Sequence, residues 1–269
     1  MIIIEPLGGL CNRLRVIVSA YEAAVKHSTQ LSVVWINNDM CNCSYYELFS
    51  LPDSIKIRVV PNFWSENIII KQLLKIKFCR VYTDKDVNEW LKQGKTDAVL
   101  NKGKKYIRTC RAIYGSSDLS GYDFSIITPN KEILEQVPAI IQEKKMIGVH
   151  VRRTDNKKSI EKSRVEDFFK KMDLEIDKDK ETVFFLASDD ESIKELFLRR
   201  YGPVHLYTRN CISLSRSSSM GIKDAYIDLL CLSNCRKIYG SYWSSYSKSA
   251  AAIGKIPLEI CTDHDGLCE

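Results

Sequence analysis

The sequence predicts an α/β protein made of two parallel-sheet units, and two observations carry that prediction. Within the first 36 residues the pattern runs strand, glycine turn, helix, strand; this is a βαβ unit, which joins parallel strands through a right-handed crossover. From residue 146 onward strands and helices alternate at short spacing, the signature of a doubly wound sheet. At 269 residues the chain exceeds the roughly 100–200 residues typical of one domain. The expected units are therefore 1–144 and 145–269.

The opening Met1-Ile2-Ile3-Ile4-Glu5 reads as a buried strand, and Gly8-Gly9 as the turn that ends it. Leu14, Ile17, Val18, Tyr21 and Val25 then recur at three- and four-residue intervals, predicting an amphipathic helix over 12–27. Leu31–Ile36 is the second strand. The stretch from Asn37 to Gly121 is less regular, with a strand expected at Ile55–Val60 and helical patterns at Ile68–Ile76 and Val87–Lys92. Thr128-Pro129 reads as a helix start, followed by an amphipathic helix through Ile133, Leu134, Val137, Ile140 and Ile141. The second half gives strands at Met146–Val151, Val183–Ala187, Val204–Tyr207 and Lys237–Gly240, alternating with helices at Val165–Ile176, Glu191–Tyr201, Ala225–Ser233 and Ser244–Ile253.

Composition narrows the function classes. With 45% hydrophobic and 28% charged residues the chain is an ordinary globular protein. No run reaches the ~18 apolar residues of a membrane span, and the N-terminus lacks the basic and long apolar regions of a signal peptide. A cytoplasmic setting is expected. The ten cysteines mostly sit singly in apolar patterns and read as free thiols rather than a disulfide framework. Cys41-Asn42-Cys43 lacks the second ligand pair of a zinc site. A net charge of +6 with scattered Lys and Arg fits an anionic small ligand better than nucleic acid, which needs a basic stripe or a recognisable module.

Ligands of doubly wound sheets sit beyond the carboxyl ends of the strands. Those ends carry Gly8-Gly9 with Asn12 and Arg13, His150-Val151-Arg152-Arg153-Thr154-Asp155, Ser188-Asp189-Asp190, and Ser241-Tyr242-Trp243-Ser244-Ser245. Gly8-Gly9 before a helix suits either a tight turn or an anion cradle. It matches neither a GxGxxG fingerprint nor a P-loop. Two neighbouring arginines can grip a diphosphate bidentately without a metal; the competing reading pairs them with Asp155, Asp189 or Asp190 to staple loops. Asp190 and Ser244 also suit helix N-caps, and Asp228 by itself reads as a solvated helix face. The Ser213–Ser219 segment is expected to be a loop.

Four of these blocks resemble a known family. "GVHVRRTD" at Gly148–Asp155, "FFLASDD" at Phe184–Asp190, "YIDLLCLSNCRKIYGSYWSSYSKSAA" at Tyr226–Ala251 and the opening "GGLCNRLR" are similar to blocks of the GDP-fucose-dependent fucosyltransferases, the α1,6 and protein O-fucosyl superfamily. The resemblance implies a GT-B-like arrangement of two Rossmann-like domains with the donor nucleotide in the C-terminal one. It implies inverting, metal-independent transfer of fucose from GDP-β-L-fucose to a carbohydrate acceptor, with no cofactor beyond that donor. Arg152 then matches the arginine holding the diphosphate and Arg153 its neighbour. His150 and Asp228 match positions lining the guanine pocket, Ser241 and Ser244, with Ser245 beside them, belong to the block capping the phosphates, and Asp189 and Asp190 match a required acidic pair. Ser188 precedes that pair.

The α1,6 enzymes carry a glutamate base shortly after the arginine block. Here that position is Ile160, so Glu161 is the first candidate base and Asp155 the second. Asp263-His264-Asp265 imitates a metal-binding DxD near the chain end and is read as coincidental. Gly8, Gly9, Asn12 and Arg13 are expected to face a sugar diphosphate held mainly by Arg152. Two alternatives stay open: a transferase for another nucleotide sugar, and a nucleotide-sugar-binding module without turnover.

Overall fold

The computed structural model describes residues 1–50, 55–60, 80–101, 103–115, 119–143 and 146–262. The helical pattern at Ile68–Ile76, Cys79, the expected boundary at 144/145 and the Asp263-His264-Asp265 triplet lie outside them. The chain divides into two compact units. One comprises Met1–Leu134 with Ser215–Lys223, the other Glu135–Leu214 with Asp224–Glu269.

The first unit holds strands β1 (Ile2–Pro6), β2 (Leu31–Ile36), β3 (Ile55–Val60), β4 (Val81–Tyr82) and β5 (Lys105–Thr109). They form one parallel sheet in the order β3-β2-β1-β5-β4. Helix α1 (Leu10–Lys26) connects β1 to β2, and α2 (Tyr45–Leu48), α3 (Asp84–Lys92), α4 (Thr96–Leu100) and α5 (Lys131–Leu134) follow in chain order. Ile2, Ile4, Leu14, Ile17, Val18 and Val33 are buried at 3% exposure or less, so the amphipathic face read from the sequence covers the sheet through Leu14, Ile17 and Val18, while Val25, near the end of the helix, is exposed.

Strand β5 was not anticipated, because Lys105 and Arg108 make it look like a surface loop. It lies beside the central β1 in register Glu5↔Arg108. Glu5 is buried there, accepting hydrogen bonds from Tyr106 Oη and Arg108 Nε, both at 2.8 Å. A cross-strand pair thus satisfies charges that the linear pattern assigns to solvent.

The single helix expected after Thr128-Pro129 is two short ones, α5 and α6 (Ala139–Glu143). Pro138 lacks the N–H a continuing helix needs, and its ring would clash with the carbonyl of Leu134. Helix α5 starts at Lys131, its first turn capped by Asn130, whose side chain accepts from Ile133 N at 2.9 Å; Pro129 instead pairs with Phe49 in an isolated bridge.

The second unit contains β6 (Ile147–Val151), β7 (Phe184–Ser188), β8 (Leu206–Thr208), β9 (Lys237–Ser241) and β10 (Leu258–Cys261), parallel and ordered β10-β9-β6-β7-β8. Counted within the unit this is the Rossmann order 3-2-1-4-5, so the sheet's switch point falls between β6 and β9. Helices α7 (Lys157–Lys162), α8 (Val165–Lys178), α9 (Glu191–His205), α10 (Ser219–Ser233) and α11 (Ser245–Gly254) connect the strands. Phe168 and Met172 of α8 and Phe197 of α9 join Ile147, Val149, Phe184 and Leu186 in one buried cluster.

Both α7 and β10 were missed. The expected end of the α9 pattern at Tyr201 is explained by Gly202, which breaks the helix with φ +65°, a conformation glycine adopts without side-chain strain. Helix α10 starts at Ser219, not Ala225. Its first residues count with the first unit, where Asn42 N donates to Arg216 O at 3.0 Å and Lys223 pairs with Glu47 at 2.9 Å.

Candidate functional site

The expected arginines follow β6 at the switch point of the second unit. Ser241 Oγ, at the end of β9, donates to His150 O and accepts from Arg152 N, both at 3.0 Å. Neighbouring strand ends are thereby stitched together, fixing where Arg152 leaves the sheet. The Arg152 guanidinium forms an ion pair with Asp155. Arg153 is turned the other way, its Nη2 donating to Ser163 O at 2.6 Å; its pKa is lowered, chiefly by burial.

Asp189 organises the same loop from β7. Its carboxylate accepts from Arg153 N at 2.7 Å and from Thr154 Oγ1 at 2.6 Å. Ser188 Oγ donates to Val151 O at 2.8 Å. Asp190 is the N-cap of α9, accepting from Ser192 N at 2.9 Å. Ser244 caps α11 with a long bond from Ser247 N at 3.5 Å, and Ser245 is the first residue of that helix. The two readings of these residues, cap or clamp against ligand contact, are thus realised geometrically as caps and clamps around a loop that carries both arginines.

His150 lies inside the unit. It is 4% exposed, with Nδ1 2.7 Å from Ser247 Oγ and its ring 4.7 Å from that of Tyr246. Burial, reinforced by Arg152 and opposed by Asp189, pushes its pKa down to about 4. The imidazole is therefore neutral near pH 7. Because the unfolded chain takes up this proton near pH 6.5 and the folded one only near 4, stability falls as pH drops through that window. The contribution is about 3 kcal/mol across it. Urea unfolding of His150→Asn between pH 7 and 4.5 is expected to show a shallower loss than the unaltered protein; equal slopes would rule out His150 as the source.

Asp228 sits on α10, 5% exposed, in a network that sequence reasoning did not foresee. Arg209 donates from Nη1 to Asp228 at 2.7 Å and from Nη2 to Asp224 at 3.1 Å. Asp224 also accepts from Ile212 N at 2.7 Å and Ser213 N at 3.1 Å. Burial raises the Asp228 pKa against the pull of Arg209 and Lys194. Asp228 is accordingly a buried acceptor and not a solvated helix face. Arg209 follows β8 directly, so the strand-end rule applied to that short strand would have found it.

Glu161 is on α7 and exposed. Asp155, one residue before the α7 cap Asn156, is engaged by Arg152. The two candidate bases thus differ: one is free in solvent, the other already holds the principal arginine.

In the first unit, Gly8 has φ +81°, and an added Cβ would come within 2.9 Å of Asn12 Nδ2. The positive φ is what requires glycine at that turn. Gly9 is the N-cap of α1, with no side chain capping that helix. Arg13, expected to face a diphosphate, is turned inward: it is 1% exposed and donates to Gly8 O (2.9 Å), Ile36 O (2.6 Å) and Asn38 Oδ1 (2.8 Å). Its guanidinium also lies 4.7 Å from the centre of the Trp35 ring. An arginine with every nitrogen engaged pins the turn. Asn12 accepts from Arg15 Nη2 at 3.0 Å.

No protein-family profile matches the chain, and no curated protein matches it in sequence. Solved structures do match. NodZ α-1,6-fucosyltransferase soaked with GDP-fucose superposes with TM-score 0.59 at 17% identity, over 94% of this chain and 92% of that one; NodZ from Bradyrhizobium gives 0.58 at 14%, over 93% and 90%. POFUT1 in complex with GDP-fucose gives 0.59 at 10% identity, over 97% of both chains. A point variant of Arabidopsis thaliana FUT1 in complex with GDP gives 0.62 at 12%, over 96% of this chain and 69% of that one. The chain has the GT-B-like α/β fold of these fucosyltransferases.

Proposed function

We propose that the chain is an inverting glycosyltransferase that moves L-fucose from GDP-β-L-fucose to a hydroxyl of a glycan, without a metal. The observation that carries this reading is the arginine loop at the β6/β9 switch point of a Rossmann-ordered sheet, where a nucleotide diphosphate is expected to bind. The shared fold supports the donor class. The unit of Met1–Leu134 with Ser215–Lys223 is proposed as the acceptor domain and that of Glu135–Leu214 with Asp224–Glu269 as the donor domain, and the buried free thiols suit a reducing, cytoplasmic setting.

Bond breaking at the sugar C1 places developing negative charge on the departing GDP. Arg152 is the group positioned to meet it, at the cost of its pair with Asp155. Exchange of that carboxylate for phosphate would release Asp155 beside the reacting sugar, where losing a cationic partner raises its basicity. Either Asp155 or the exposed Glu161 then takes the proton of the acceptor hydroxyl on the face opposite GDP, which inverts the anomeric centre. Asp228 supplies a buried acceptor for the guanine N1–H and amino group, sharing that carboxylate with Arg209.

Nucleotide preference tests the donor assignment. Thermal-shift titration with GDP, UDP and ADP should stabilise the protein most with GDP; equal shifts for all three would favour a transferase of another nucleotide sugar.

A further inference from the structure

The turn after β9 has an unusual residue at its tip. Trp243 adopts a left-handed backbone with φ +55° and leaves 64% of its surface exposed. Both properties are costly for a large side chain. Left-handed φ is normally left to glycine or asparagine, and an exposed indole gives up burial that a core tryptophan would gain. Strain of this kind persists where the surroundings over-determine it, and it clusters at ligand-contacting loops.

The surroundings here do over-determine it. Tyr242 N donates to Ser163 Oγ at 2.8 Å, and Trp243 O accepts from Asn156 Nδ2 at 3.1 Å. Two residues before the indole, Ser241 holds Arg152 N. Ser163 O in turn holds Arg153 Nη2 at 2.6 Å. The tip of the β9 turn is therefore fastened to the arginine loop by separate bonds, through Ser241, Ser163 and Asn156. Lys158 Nζ lies 4.8 Å from the centre of the indole ring, so a cation attends the aromatic surface.

We propose that Trp243 is a stacking platform for a pyranose ring, presented beside the diphosphate-binding arginines. A pyranose offers a face of C–H groups and a rim of hydroxyls. The indole matches the face, while Lys158 Nζ, 4.8 Å from the ring centre, offers a donor to the hydroxyls of the rim. This inference rests on the fucosyl-transfer reading for the choice of sugar over another ring. The pyranose has two sources, the fucose of the donor or a sugar of the acceptor.

The test uses the full chain with Trp243→Ala, Trp243→Phe and Trp243→Gly. Affinity is measured for GDP and for GDP-fucose, and binding of the GDP-loaded protein to an immobilised glycan array is scored in parallel. Affinity for GDP should be equal in all four proteins. The Ala and Gly variants should lose roughly tenfold, as expected for truncating an aromatic anchor, and Phe should recover most of that loss. If the loss appears in the ratio of GDP-fucose to GDP affinity, the platform takes the donor sugar; if it appears on the array, it takes the acceptor.

Trp243→Gly should also melt at a higher temperature than the unaltered protein, since glycine accepts φ +55° without strain. Unchanged sugar binding in the Ala and Gly variants would overturn the proposal, as would a parallel fall in affinity for GDP itself. An unaltered protein that binds no GDP would sink the transferase reading, and the array, then probed with the protein alone, would still decide whether Trp243 takes a sugar.

Discussion

Replacing Arg152 with alanine should lower GDP release from GDP-fucose by roughly 10²–10³-fold, the range for removing one principal electrostatic donor from a reaction centre. Arg152 is the guanidinium whose backbone is fixed between β6 and β9 and whose side chain pairs with a carboxylate that a phosphate can replace. Arg152→Lys should be nearly as damaging, because an ammonium cannot make the bidentate contact. Arg153→Ala should cost less turnover and more stability, since its side chain already serves Ser163 O inside the unit. Initial rates of the purified variants, with circular dichroism to verify folding, provide the check. Near-normal turnover in Arg152→Ala would place the diphosphate elsewhere.

The largest effect on stability is expected from Arg209→Ala. Asp224 and Asp228 are buried, Arg209 is largely covered, and the arginine bonds both carboxylates. Its removal leaves two buried acids facing each other without their cation, a situation that costs about 3–5 kcal/mol. The sign of the pH dependence follows from the linkage. Burial already raises the Asp228 pKa above that of the unfolded chain, so protonating it favours the folded state. The deficit of Arg209→Ala should therefore be largest near pH 7 and shrink as the pH falls toward 5. Adding Asp228→Asn to Arg209→Ala should return part of the lost stability at pH 7. Denaturant unfolding of the two variants measures this, and a deficit that ignores pH would show that the cost lies in lost packing.

The α/β class and the strand-end blocks were legible because both depend on short-range pattern. Runs such as Ile2–Ile4 and Phe184–Leu186 leave little choice but a buried strand, and the glycine turn, arginine loop and Ser-Asp-Asp run follow strands whose ends could be located. What escaped was decided by partners distant in sequence. Strand β5 hides behind Lys105 and Arg108 because the acid that accepts Arg108, Glu5, is more than a hundred residues away in the chain. Pro138, in plain view, was outweighed by the apolar spacing around it, although a missing donor inside a helix has no remedy from periodicity.

The site shows the same division. Residue types at the strand ends suggest anion-binding chemistry, yet they do not say which way a side chain points. Arg13 and Arg152 look alike in sequence, each lying within a few residues of the end of a strand. Trp35, Ile36 and Asn38 draw the first inward, while the second pairs with Asp155 beyond the carboxyl end of the central strand β6. By its own pattern Asp228 reads as a helix face; Arg209, just beyond the short strand β8, supplies the reason for its burial. Tertiary pairing, not local preference, decides which arginine pins a turn and which stays near the surface with a single carboxylate partner.

Turnover of GDP-fucose by the full chain tests the central claim most directly. With a mixed glycan acceptor pool and EDTA present, the unaltered protein should release GDP and attach fucose to acceptor, and Arg152→Ala should do neither at a comparable rate. Tight GDP binding with no release of GDP from GDP-fucose under any acceptor would contradict it, and would make the chain a nucleotide-sugar-binding module.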